Sequence, residues 1–234
     1  MSNGNSVTAG WINPLSFIEI INGANYERIF QFLCQPSTNS STDDFKKRYD
    51  EITAKETRIF IVPAENQILQ NLIWPLKHAK GSYCCENYLG TIALCGMVAE
   101  MLAILLFEVS KVTINRQVMD EKTQKGMFGS EFERLGQERR IDVLFTCGLM
   151  DSDTKGKFNL IRERRRKYLH LYSQSHDDIK KDACEVYSSA TALFVKIVGQ
   201  DVSNGKIKFN PLVTKYLQEK GVIRSVNEEN NTDK

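Results

Sequence analysis

From about residue 63 onward, apolar residues recur every three or four positions, the spacing of helices with one buried face. The pattern predicts helices at roughly 64–79, 86–112, 130–149, 157–174 and 178–199, and a short one after Pro211. In the 130–149 segment the stripe is Phe132, Leu135, Ile141, Leu144, Phe145 and Leu149. In the 178–199 segment it is Ile179, Ala183, Val186, Tyr187, Ala190, Leu193, Phe194 and Ile197. Asp151-Ser152-Asp153 and Ser175-His176-Asp177-Asp178 read as breaks rich in capping residues. Short connections between long helices predict an all-α fold, an antiparallel up-and-down bundle.

Ahead of the bundle the pattern is less regular. Residues Phe17 to Leu33 carry an apolar run interrupted near Gly23, and Gln35 to Asp44 has loop composition. A helix carrying Phe45, Tyr49 and Ile52 follows, and Arg58 to Val62 is a β-like run that stops at Pro63, too little to make a sheet. The reading divides the chain into an additional, mostly helical N-terminal region (1–62), a helical bundle (63–200), and a C-terminal helix with a polar tail (201–234).

Tyr88 to Phe107 is apolar nearly all round and long enough to cross a bilayer, but it carries Glu100 at mid-span and no basic loop flanks it closely. A charge at the bilayer centre costs about 2.5–3.5 kcal/mol on insertion scales. The segment therefore reads as a core helix, and no membrane partner is expected.

The chain has 234 residues, with Lys+Arg 31 against Asp+Glu 29. A formal charge of +2 does not by itself announce a polyanionic partner, so any electrostatic function is local. The start MSNGNSVTAG lacks a basic stretch leading into an apolar core, and the expectation is a cytoplasmic chain with six reduced thiols. No C-x-x-C occurs, the three histidines are not spaced with the cysteines as ligands, and phosphate-loop, dinucleotide and nucleophile-elbow motifs are absent, so neither a metal nor a cofactor is expected.

Between Asp151 and His170 the balance changes. Seven basic residues stand against three acidic ones, a local +4. On a helical wheel Phe158, Ile161, Tyr168, Leu169 and Tyr172 share an apolar arc, and Arg165 falls inside it. A guanidinium on an apolar stripe must be paired, reach water or line a cleft. Glu100, the lone carboxylate of the most apolar helix, is its natural partner. Such a pair is either an internal site or an ion pair that fixes helix register.

Arg165 to Tyr172 spells R-x4-H-x-Y, with His170 closing the motif. In this string, with Glu100 on one helix, Phe145-Thr146-Cys147-Gly148-Leu149 ending another and an Ala-containing amphipathic helix after it, residues 86–200 resemble the HEPN superfamily, and the R-x4-H-x-Y form resembles its HepT toxins. The resemblance implies a HEPN-like bundle that dimerises through the motif helix. It also implies a metal-independent endoribonuclease, a toxin or defence effector, that cleaves RNA by attack of its own 2′-hydroxyl. Implied partners are RNA, a second copy, and a cognate antitoxin of nucleotidyltransferase type.

In that scheme His170 is the acid/base, since imidazole exchanges protons near neutrality. Arg165 is the clamp on the developing charge, as a forked guanidinium can be. Glu100 orients Arg165, Arg162, Arg166 and Lys167 hold backbone phosphates, and Tyr172 matches the tyrosine that the antitoxin modifies, although on the wheel it faces inward. The pattern also departs from the family's. Arg166 stands where HEPN ribonucleases commonly have a polar residue, often Asn. On an ideal helix Arg165 and His170 point about 140° apart, whereas Arg166 and His170 share a face. A non-catalytic HEPN-like scaffold or RNA- or nucleotide-binding module, and a structural helical adaptor, remain as alternatives.

Overall fold

The computed structural model describes residues 42–59, 67–114, 116–170, 175–199, 201–203 and 206–221. Residues 41–234 form one compact unit, to which everything below refers. The Phe17–Leu33 run, residues 60–62 of the β-like run, Tyr172 and the polar tail lie outside the described residues; Arg58 and Ile59 are not in a strand.

The fold is all-α. Among the described residues the helices are α1 (Thr42–Thr53), α2 (Gln67–Cys84), α3 (Tyr88–Ser110), α4 (Glu121–Phe128), α5 (Gln137–Thr146), α6 (Ser152–Leu169), α7 (Ile179–Val198) and α8 (Pro211–Glu219). A hairpin joins β1 (Thr113–Ile114) to β2 (Gln117–Val118) after α3, and another joins β3 (Asp201–Ser203) to β4 (Lys206–Lys208) before α8.

α3 is the centre of the bundle and packs on α2, α5, α6, α7 and α8. Ile92, Cys95, Val98, Ala99 and Leu102 are wholly buried on it. Burying one such aliphatic side chain contributes about 1.5–3 kcal/mol, so a helix apolar on several sides is held by several neighbours. It is long and apolar enough to span a membrane, and 56% of its most apolar window is buried inside the protein. Asn87 caps its start by accepting from the Gly90 N–H at 2.9 Å.

Neighbouring helices are tied at their ends by polar groups whose alternative would be burial without a partner. Buried Arg48 of α1 donates from Nε to the Cys84 carbonyl at 2.7 Å, satisfying a C-terminal carbonyl of α2. The Thr91 hydroxyl donates to the Ala79 carbonyl at 3.1 Å and joins α3 to α2. Lys80 of α2 and the Tyr187 hydroxyl of α7 meet on Glu56, at 2.9 and 3.1 Å.

The helix expected over 130–149 is broken. A 3-10 turn at Phe132–Arg134 is followed by Leu135 and Gly136 in extended conformation (ψ 147° and 152°), and α5 starts only at Gln137. The buried side chains of Phe132 and Leu135 mimic a helical stripe although the backbone between them and Ile141 is not helical. α4 was not signalled, because its eight residues hold only Met127 and Phe128 as large apolar groups; the Asp120 carboxylate caps it through the Thr123 N–H at 2.8 Å.

α6 begins earlier than its apolar stripe suggests. Asp151 accepts the Thr154 N–H and hydroxyl, at 2.9 and 2.6 Å, and starts the helix at Ser152. The helix ends at Leu169, and His170 is its C-cap, its N–H donating to the Arg166 carbonyl at 3.2 Å.

Candidate functional site

α6 carries its seven basic side chains between α5 on one side and α7 on the other, over α3. Six of them meet carboxylates. Lys155 reaches Asp142 of α5 at 2.9 Å, and Arg162 reaches Glu138 of α5 at 3.0 Å. Arg164 and Lys167 both reach Asp182 of α7, at 3.2 and 3.3 Å, and Lys157 pairs with Asp153 within α6. Arg165 bonds Glu100 through Nη1. The exposed Arg166 side chain has no hydrogen bond or ion pair among the described residues.

The Arg165–Glu100 pair foreseen from the wheel is therefore present. Its groups are half-buried, with side-chain exposures of 29% and 33%. Gly96, one turn before Glu100, makes room for it. A Cβ on Gly96 would lie 2.6 Å from the Arg165 Cδ and 3.2 Å from its Nε, so the arginine lies directly across the glycine's bare backbone.

A second guanidinium joins from α5. Arg140 Nη1 stands 3.9 Å from the other oxygen of Glu100, with the arginine side chain only 11% exposed, and its Nη2 donates to the Glu133 carbonyl at 2.9 Å. Glu100 thus stands between two arginines.

Hydrogen bonding around this junction is incomplete. Eight buried side-chain nitrogen and oxygen atoms among the described residues lack a hydrogen-bond partner. Five are nitrogens of four residues of this junction: Gln137 Nε2, Arg140 Nε and Nη1, Arg162 Nε and Arg165 Nε. All are donors. A buried donor with no acceptor costs about 1–3 kcal/mol, so five on two facing helices call for an explanation.

His170 is exposed at the end of α6, four residues after Arg166, and the two share one face with Arg162 a further turn back. Arg165 points instead toward α3. Arg166 and His170 are thus the pair left open to solvent, and Arg165 and Glu100 support α6 from beneath.

Lys167 and Arg162 are less open than a phosphate contact needs. Lys167 donates to the Tyr168 hydroxyl at 2.9 Å and to Asp182 at 3.3 Å, and these contacts hold its ammonium above the ordinary lysine range. The Tyr168 hydroxyl donates to Asp182 at 2.6 Å; burial first, then that carboxylate, pushes its pKa up. His176, which the sequence placed in a helix break, lies edge-on to the Tyr168 ring, centroids 5.3 Å apart.

Arg140, Gln137 and Asp182 were missed by sequence reasoning, yet each left a signal. Asp182 follows Ile179 by three and precedes Val186 by four, so a carboxylate sat on the buried stripe of α7. Gln137 and Arg140 fall in the same way on the stripe of Ile141 and Leu144. Among the described residues no group of three or more His, Cys, Asp or Glu side chains could hold a metal ion. A separate concavity of about 480 Å³, lined by Phe107, Phe132, Tyr216 and Glu108 among others, includes none of the motif residues. No protein-family model matches the chain, and no curated protein and no solved structure matches it.

Proposed function

We propose that this chain is a metal-independent endoribonuclease of HEPN type that acts as a homodimer. The observation that carries the reading is the end of α6: a solvent-open His170 one turn beyond Arg166, whose side chain has no partner among the described residues, on a helix whose inward arginine is held by Glu100.

The reacting group is the RNA's own 2′-hydroxyl. Its oxygen bonds to the adjacent phosphorus while the bond from phosphorus to the 5′-oxygen breaks. A histidine accepts the 2′-proton, and a proton is returned to the leaving 5′-oxygen, leaving a 2′,3′-cyclic phosphate and a 5′-hydroxyl. His170 serves as that acid/base, with the second copy's equivalent residue available across the two-fold axis. Arg166 shares its face and is the better placed of the two motif arginines to meet a phosphate oxygen from solvent. Arg165 acts as the clamp of the resemblance only where the second copy completes the cleft. As a toxin, the protein would be restrained by a nucleotidyltransferase-type antitoxin.

A non-catalytic helical scaffold is the second reading. It is favoured by the same salt bridges, since six of the seven basic residues of α6 already have carboxylate partners. His170→Ala decides between them. Under the proposal it abolishes RNA cleavage while the melting temperature stays unchanged, and EDTA has no effect on the unaltered protein. Cleavage retained in His170→Ala removes the catalytic assignment, and intact RNA at every pH from about 6 to 8 favours the scaffold.

A further inference from the structure

The concavity between the C-terminal end of α3, the β1–β2 hairpin, α4 and α8 has a chemistry opposite to that of α6. Its volume, about 480 Å³, is that of a small-molecule site. One wall is apolar: Ile104, Met119 and the stacked rings of Phe107 and Phe132, whose centroids lie 4.0 Å apart. Five carboxylates line the cavity against two ammonium groups. Glu219 is paired with Lys111 at 2.7 Å, and Glu131 with Lys125 and Arg134, which reach it from outside. Glu108, Glu121 and Glu133 have no ion pair among the described residues, and Lys220 is a lining ammonium with no carboxylate partner among them. Even with both cations on Glu131 counted, the carboxylates are in excess.

Two of these carboxylates act on one phenol. The Tyr216 hydroxyl donates to Glu108, and burial first, then Glu108 and Glu133, push its pKa up. The chain already sets a cation against this ring: Lys220 Nζ stands 5.5 Å from its centre, within the range in which an aromatic face attracts an ammonium. Carboxylates beside an aromatic face act together on a positive head, and an apolar wall takes a carbon body. The geometry points to a binding site for an alkylammonium ion, its head among Glu108, Glu133 and the Tyr216 ring and its methylenes on Ile104, Phe107 and Phe132. A bare metal ion does not fit the arrangement, because the carboxylates are not grouped as ligands and the apolar wall would stay uncovered. Lys220, the C-cap of α8, is the resident head group and competes with the ligand. The site goes beyond RNA cleavage, since neither His170 nor Arg166 lines it.

The test is an NMR titration of n-butylammonium chloride into the full-length chain at low ionic strength, with n-butanol as the uncharged isostere. Saturable shifts at one site are expected for the ammonium and none for the alcohol. Glu133 is exposed, so Glu133→Gln should leave the fold intact and weaken binding about threefold, the worth of a partly screened charge contact. Tyr216→Leu should weaken it by about the same factor through loss of the ring. Lys220→Gln removes the competing head group and should tighten it. Glu133→Gln and Lys220→Gln keep the test decisive if Tyr216→Leu does not fold. No saturable binding, equal binding of the alcohol, or binding unchanged in both Glu133→Gln and Lys220→Gln overturns the proposal. Nα-acetyl-lysine amide and 1,4-diaminobutane separate the sources of the ammonium. Tighter binding of the lysine derivative assigns the site to a lysine side chain of a partner protein, and tighter binding of the diamine assigns it to a small free amine. Intact RNA in a chain that binds the ammonium removes the ribonuclease reading and leaves this one standing.

Discussion

Replacing Gly96 with alanine separates the organisation of the arginine pair from the stability of the bundle. The added Cβ would lie 2.6 Å from the Arg165 Cδ, where ordinary carbon contacts are about 3.5–4.0 Å, so the arginine must retreat by about an ångström. The group that gives way is a flexible side chain, and α3 need not move. Alanine gains about 0.8–1 kcal/mol over glycine in a helix interior. Loss of the Arg165–Glu100 contact costs about as much, because both groups are about one-third exposed and solvent screens them. The two terms nearly cancel. Urea unfolding should place Gly96→Ala within about 1 kcal/mol of the unaltered protein, while RNA cleavage falls. A double-mutant cycle sharpens the test: in the Gly96→Ala background, Glu100→Gln should have no further effect on RNA cleavage, since Arg165 has already left the carboxylate. An undiminished effect of Glu100→Gln on RNA cleavage in that background refutes the role given to Gly96. A destabilisation beyond about 3 kcal/mol would show instead that backbone, and not a side chain, yields to the added methyl group.

Two other substitutions probe the ties that hold α6. Asp182→Ala leaves the buried Tyr168 hydroxyl, Arg164 and Lys167 without their shared acceptor, and unfolding free energy should drop by about 3–5 kcal/mol, read by urea titration. Asp151 has its carboxyl held well below the ordinary carboxylate range, first by the Lys196 ammonium at 2.7 Å and then by Thr154. A depressed folded-state pKa stabilises above the unfolded value near 4 and loses that contribution as pH falls further. Asp151→Ala should therefore lower the unfolding midpoint at neutral pH, with the difference from the unaltered protein shrinking as the titration is repeated below about pH 4; a difference constant with pH would remove the carboxylate from the explanation.

The parts of this fold that declared themselves in the sequence are those whose side chains obey one period. α3 and α7 were legible within a residue or two because their apolar positions are continuous, and the Arg165–Glu100 pair was legible because each charge breaks the pattern of its own helix. Segments organised by backbone rather than by stripe were not. Phe132 and Leu135 are buried in a non-helical stretch, so periodicity fused them with α5. Asn204-Gly205, between β3 and β4, is a hairpin signal set in a segment too short to show strand alternation. Arg140 and Asp182 were hidden for a different reason: a polar residue on a buried stripe matters only once its partner is known, and their partners lie on other helices at separations no local pattern reaches.

The same distant partners change what the charge of α6 can do. Read along the chain, its local +4 suggested a helix ready to meet several phosphates. In the fold Asp142, Glu138, Glu100 and Asp182 stand against its basic groups, so much of that charge is committed within the protein. What remains for a polyanion is Arg166, one from each copy of the proposed homodimer. Each phosphate neutralised on a single strand steepens the fall of log K with log salt by about 0.7, so two contacts give a slope near −1.4 and a fully available α6 would give about −3 or steeper. Fluorescence anisotropy of an uncleavable 2′-O-methyl oligoribonucleotide, measured from about 50 to 200 mM salt, reads this slope directly. A slope near −1.4 means recognition by a few placed groups, in keeping with a small cleaving cleft. A slope of −3 or steeper means that RNA pulls the lysines and arginines of α6 away from their carboxylates, and the ion pairs seen here would not describe the bound protein.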